Sequence, residues 1–182
     1  MELYNKADHD RRYDYLTGLY SRLSLSDFME DVKKGAQPPV HAVLMVDIDN
    51  FKSFNDKFGH SMGDQCLRVA GKALLTFGLA NDISFYRYGG DEFIGMIRDE
   101  TTDCEMKALT NSLMEEMQAI RIPAGDPANT ELSVTVSIGW ARGDADCTEL
   151  INQADSAMYL AKKNGKNQVA CAEEMAEVHK NT

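Results

Sequence analysis

Two short apolar segments, residues 83–88 and 93–97, are separated only by Gly89-Gly90-Asp91-Glu92. Strands joined by so short a connection lie antiparallel, because a parallel return needs a crossover of a dozen or more residues. Glycine supplies the positive φ that tight hairpin turns demand. The chain must therefore build a sheet around this hairpin and cover that sheet with what remains. Residues 41–46 (HAVLMV) form a continuous apolar run with no alternation, the pattern of a central strand buried on both faces. Leu132, Val134, Val136 and Ile138 instead alternate with Ser133, Thr135 and Ser137, which predicts a half-buried strand. Residues 168–172 suit an edge strand.

Helical signals fill the intervals. Residues 2–15 are charged with sparse apolar positions and predict an exposed helix entering from an upstream element; Leu16-Thr17-Gly18-Leu19 breaks it. Leu23, Leu25, Phe28, Met29 and Val32 form a helical stripe that Gly35, Pro38 and Pro39 end. Residues 64–77 place Leu67, Ala70, Leu74 and Phe77 on one face. Thr102 and Glu105 make a capping box before Met106, Leu109, Leu113 and Met117. Residues 149–163 form the last amphipathic helix, with Gly165 beyond its end. The order predicts one α+β domain over residues 16–172, a central, mostly antiparallel sheet flanked by helices. Residues 1–15 are expected to be a linker helix and residues 173–182 a tail.

The 182 residues, 43% hydrophobic and 26% charged, suit one soluble domain with a real core. No apolar run approaches the ~20 residues of a membrane-spanning helix, and the first twelve residues are too polar for a secretory signal. A cytoplasmic location without membrane contact by this segment is expected. The net charge of −10 repels a phosphate backbone, which argues against duplex nucleic acid as a partner. Cys66, Cys104, Cys147 and Cys171 form no CxxC pair and read as free thiols. The four histidines show no metal-ligand spacing.

Four constellations carry chemistry. Asp47-Ile48-Asp49 ends the apolar strand, so both carboxylates point to one side while Ile48 enters the core. Such oxygens can hold a hard cation, although a lone DxD also suits an ordinary strand end. Asp91 and Glu92 place two acids at a hairpin tip, an arrangement that repels itself unless a cation bridges it. Residues 51–64 (FKSFNDKFGHSMGD) set polar groups at fixed offsets between glycines and suggest a pocket loop. There Asn55 offers a donor and an acceptor, and Asp64 can take the paired N–H donors on guanine's Watson–Crick edge, though it also suits a helix start. Residues 161–167 (AKKNGKN) cluster positive charge in an acidic chain; Lys162 and Lys166 either complement the helix dipole or clamp a triphosphate.

Together these blocks closely resemble the GGDEF family of diguanylate cyclases. Gly89-Gly90-Asp91-Glu92-Phe93 is the signature, accompanied by Asp14-Tyr15-Leu16-Thr17-Gly18-Leu19, by residues 47–64, and by residues 154–167, in the family's order. The resemblance implies a fold like the nucleotide-cyclase and polymerase palm with the signature on a β-hairpin. It also implies condensation of two GTP into cyclic di-GMP and two pyrophosphates as a bacterial second-messenger output. One GTP would bind per chain, so catalysis would need a homodimer, and an upstream sensor domain is implied. By position, Asp47, the Ile48 carbonyl, Asp91 and Glu92 would hold Mg2+ (or Mn2+). Asp91 would also serve as base, and Lys52 would stabilise the transition state. Asn55 and Asp64 would read guanine, His60 would line the pocket, and Lys162 and Lys166 would hold phosphates. A silent GTP-binding module of the same fold is the alternative. One departure stands out: where many relatives carry an RxxD product-inhibition site, this chain has Ala80-Asn81-Asp82-Ile83, so no feedback through that site is expected.

Overall fold

Strand β1 (Ala42–Ile48) is buried along its whole length, as its unbroken apolar run requires. In the computed structural model, which describes residues 11–124 and 130–173, it is the centre of a five-stranded sheet of order β2-β3-β1-β6-β7. The hairpin β2 (Ile83–Gly89) and β3 (Glu92–Ile97) lies on one side. On the other side are β6 (Val136–Arg142) and the short β7 (Val169–Cys171). All pairings are antiparallel except β6 with β7. Two further two-residue strands, β4 (Ile122–Pro123) and β5 (Glu131–Leu132), form a separate antiparallel pair.

Alternation along β1 divides the core into two layers. Ala42, Leu44, Val46 and Ile48 face one layer. Helices α2 (Phe51–Phe58), α3 (His60–Asn81) and α4 (Asp103–Gln118) cover it through residues such as Phe54, Leu74 and Leu113. Val43 and Met45 face the other, covered by α1 (Arg22–Lys33) and α5 (Cys147–Lys163) through Leu25, Leu150, Ile151 and Met158. Gly139 on β6 permits the closest approach of α5, since a Cβ there would lie 2.1 Å from Ala154 O and Met158 N. Before α1, Tyr20 lies along the outer edge of β2: its N–H donates to Phe85 O (3.1 Å) and its carbonyl accepts from Arg87 N (2.8 Å).

The expected α+β architecture holds, and the expected capping box at Thr102 and Glu105 is formed. Three elements differ from expectation. Residues 51–58, expected in a pocket loop, are helical, because Phe51, Phe54 and Phe58 share a face at helical spacing. The following helix starts at His60 rather than residue 64, directly after Gly59 at φ 85°. The alternating strand is displaced: residues 133–135 are not strand, and β6 begins at Val136 with both faces covered. Ser137 is fully buried there, so its polarity marks an internal hydrogen bond rather than a solvent face. The expected linker helix lies outside the described residues apart from Arg11 and Arg12, which are helical; Tyr13 already bridges Tyr20. Of the expected tail, only Glu173 lies within the described residues.

Candidate active site

The antiparallel register sets Asp47 directly opposite Glu92 on β3 and Ser137 on β6. Directly opposed partners share a sheet face, so Asp47 and Glu92 both point toward α5. Lys162, in the last turn of α5, reaches down to Asp47 with Nζ 2.7 Å from Oδ2. Burial pushes the Asp47 carboxyl up to about 6; the Lys162 hydrogen bond opposes this, while Asp91 and Glu92 add to it by repulsion. Glu92 is likewise raised, by burial and then by the charge of Asp91. Beside this group, a cleft of about 360 Å³ is lined by Glu92, Asp155, Ser156, Met158, Tyr159 and Lys162.

The turn itself is fixed from two sides. Gly90 adopts φ 52° and the ladder shifts between Arg87 and Gly89. Arg87 donates to Gly90 O from Nε (3.1 Å) and Nη2 (2.7 Å). The same guanidinium donates from Nη1 to both Asp14 carboxylate oxygens, at 3.1 and 3.2 Å. Asp14 also accepts from the Thr17 N–H and hydroxyl. Burial would raise the Asp14 carboxyl, but the Thr17 hydrogen bonds and Arg87 hold it below its ordinary range. The Ile48 N–H donates to Asp91 O at 3.3 Å, which joins the turn to the end of β1.

The charge of Asp91 also reaches α3. The Cys66 thiol on α3 is pushed up to about 12, first by burial and then by the Asp91 charge. One turn earlier on α3 sits Gly63, where a Cβ would lie 1.8 Å from Asn55 Oδ1. The Asn55 side chain on α2 thus occupies space that only glycine leaves, and its buried Oδ1 has no hydrogen-bond partner. An acceptor so placed is unsatisfied until a donor arrives. Asp64 follows Gly63 and is exposed, as are His60 at the start of α3 and Lys52 on α2. Lys166 donates from Nζ to Asn50 Oδ1.

The structure therefore gathers Asp47, Asp91, Glu92 and Lys162 into one electrostatic group, with Ile48 at its base. It pairs Asn55 on α2 with Gly63 on α3, one turn before Cys66. Among the described residues, Lys52, His60 and Asp64 form no hydrogen bond or ion pair with that group. Among the described residues, no three His, Cys, Asp or Glu side chains converge tightly enough to hold a metal ion by themselves. The donors are all oxygen, and magnesium takes few carboxylates when phosphates and water supply the rest. Repulsion among Asp47, Asp91 and Glu92 is the condition a divalent cation relieves, so the residues fit that ion.

Sequence reasoning missed Arg87 and Gly63, and it read Asp49 only as a possible cation ligand. Gly63 is betrayed by no motif logic, but Arg87 directly precedes the signature. At Ala80-Asn81-Asp82-Ile83, Asn81 Nδ2 donates to Phe77 O, the Asp82 backbone caps α3 in a left-handed conformation, and the Asp82 carboxylate pairs with Arg98 at 3.7 Å.

The family model for the diguanylate cyclase GGDEF domain matches residues 11–168. The chain belongs to the GGDEF family. It is 31% identical over 171 residues to the diguanylate cyclase DosC of Escherichia coli K12, covering 92% of this chain and 37% of that protein. It is 33% identical over 156 residues to the cyclic di-GMP phosphodiesterase PdeR of the same strain, covering 85% of this chain and 23% of PdeR. Thus the chain spans well under half the length of these curated relatives. The GGDEF domain of DgcB from Caulobacter crescentus, crystallised with c-di-GMP, superposes with TM-score 0.76 at 28% identity, over 89% of this chain and 93% of that one. The expected fold class therefore holds. No helix among the described residues is long and apolar enough to cross a membrane.

Proposed function

We propose that this domain condenses two GTP molecules into cyclic di-GMP, each chain contributing one half-site. The observation that carries this reading is the Asp47–Glu92 cross-strand pair with Asp91 at the adjoining turn, three acids that a GGDEF-family chain keeps beside a lysine. The 3′-hydroxyl of one nucleotide attacks the α-phosphorus of the GTP on the facing chain. A P–O bond forms, the bond to pyrophosphate breaks, and the hydroxyl proton passes to Asp91. A second, reciprocal attack closes the ring and releases the second pyrophosphate.

Asp47, the Ile48 carbonyl, Asp91 and Glu92 would hold magnesium, with manganese a substitute. Bound there, the metal would supply charge neutralisation for the attacking oxygen and the phosphates. Phosphoryl transfer needs positioning and electrostatic support more than covalent help. Lys162 exchanges Asp47 for phosphate oxygens, joining Lys166 on the triphosphate. Lys52 balances the charge that develops at phosphorus. Asn55 and Asp64 read guanine, and His60 lines the same pocket. Two chains must face each other, and a sensor domain upstream would set how often they do so.

A silent GTP-binding module is the second reading, favoured by the similarity to PdeR, which is named for a phosphodiesterase rather than a cyclase. The deciding experiment incubates concentrated protein with GTP and magnesium beside Asp91→Asn and resolves the products by chromatography. Cyclic di-GMP from the unaltered chain alone supports the cyclase. Binding of GTP without turnover in either sample supports the silent module.

A further inference from the structure

The second carboxylate of Asp47-Ile48-Asp49 has different partners from the first. Asp49 is 5% exposed. Its Oδ2 accepts from Thr135 Oγ1 (2.6 Å) and Asn167 N (2.9 Å), and its Oδ1 accepts from Ser137 Oγ (2.7 Å). Its own N–H donates to Thr135 O at 2.8 Å. Among the described residues, no Lys or Arg lies within ion-pair distance of it, so neutral donors alone meet its charge.

Asn167 closes an unusual loop. Gly165, Lys166 and Asn167 all have positive φ, at 116°, 66° and 49°. Residues with side chains hold that conformation only where their surroundings enforce it. Asp49 enforces it at Asn167, and the next residue, Asn50, itself at φ 57°, accepts from the Lys166 ammonium. Two consecutive residues at the end of β1 thus grip two consecutive residues of the lysine-bearing loop, across more than a hundred positions of sequence. Gln168 Nε2 completes the clasp by donating to Ala161 O (3.0 Å) and Lys166 O (3.3 Å).

We propose that Asp49 is a positioning residue for triphosphate binding: it holds the Gly165–Asn167 loop in its strained form, so that Lys166 stands preset beside the end of β1. Asp49 neither ligates metal nor touches nucleotide; it acts through Asn167. The inference rests on the proposed reading that this site binds GTP.

The test compares binding of GTP and of guanosine by isothermal titration to the full 182-residue chain and its Asp49→Ala and Asp49→Asn variants. Asp49→Ala should weaken GTP about tenfold, the effect of one charge-assisted hydrogen bond, and leave guanosine unchanged. Asp49→Asn should stay within about threefold of the parent, because its carbonyl still serves Thr135 and Asn167 while the Ser137 hydroxyl turns to accept its amide. Equal weakening of guanosine would show a general lesion and overturn the proposal. So would unchanged GTP binding by Asp49→Ala. An Asp49→Asn defect as large as that of alanine, with a higher magnesium requirement, would make Asp49 a ligand instead. If Asp49→Ala does not fold, Thr135→Val combined with Ser137→Ala removes the two hydroxyls that aim the Asp49 carboxylate at Asn167 N, and unweakened GTP binding there overturns the proposal. A parent chain that binds GTP no better than guanosine refutes the GTP reading itself, before any variant is made.

Discussion

Replacing Gly63 by alanine separates folding from nucleotide recognition. The added Cβ would meet Asn55 Oδ1 at 1.8 Å, Cγ at 2.8 Å and Nδ2 at 3.3 Å, all at the end of one side chain. Asn55 is half-buried and its Oδ1 has no partner to lose, so the amide can swing away for roughly 0.5–1.5 kcal/mol of rotamer strain. Alanine in a helix interior returns about 0.5–1 kcal/mol relative to glycine. The two nearly cancel, and the melting temperature should move by no more than about 4 °C for a chain of this size. Recognition has no such compensation. A displaced Asn55 would forfeit the hydrogen bonds to the base proposed for it, on the order of 1–3 kcal/mol, or about 5- to 150-fold in GTP affinity. Differential scanning calorimetry and GTP titration on the same samples read both quantities. The reasoning fails if Gly63→Ala melts far below the parent, since Asn55 then cannot yield, or if GTP binds the variant undiminished.

Asp47, held at about 6 in the fold, binds its proton more tightly folded than unfolded. The linkage sign therefore makes stability fall as pH rises from about 4 to about 6. In metal-free buffer at pH 7, Asp47→Asn should raise stability by on the order of 1 kcal/mol, a gain that vanishes near pH 4 in urea titrations. Arg87→Ala loses both Gly90 O and Asp14 and should lower stability by about 2 kcal/mol. Arg87→Lys should not restore it, because an ammonium cannot span both partners; melting curves and turnover check this. Gly139→Ala should lower stability by at least about 2 kcal/mol in urea midpoints, because its Cβ meets the Ala154 O and Met158 N backbone atoms rather than a movable side chain.

The apolar run at residues 41–46 and the glycine-split hairpin were legible because their patterns follow from local backbone geometry. So was the approach of Asp47 to the hairpin acids, since its strand and the hairpin share one sheet. Residues 51–58 were misjudged because five polar residues hid a helix whose only signature is Phe51, Phe54 and Phe58. Ser137 misled for the opposite reason: its alternation with Val136 and Ile138 imitates a solvent face, yet it is buried as a donor to Asp49. The grip of Asp49 on Asn167 joins segments 118 positions apart, and no periodicity reports a contact of that kind. Asn55 was identifiable by type, but its need for Gly63 appears only when the two helices are seen crossing.

The segment at Tyr20 has a consequence for assembly. By bonding to Phe85 and Arg87 in the middle of β2, it leaves that border of the sheet no long unpaired run for another strand. At the opposite border, β7 offers only three residues, too few for a stable continuous pairing. Two copies of this domain are thereby steered away from fusing into one extended ribbon. If two half-sites meet as proposed, the meeting must work through side-chain surfaces, which can be made weak, reversible and answerable to an outside signal.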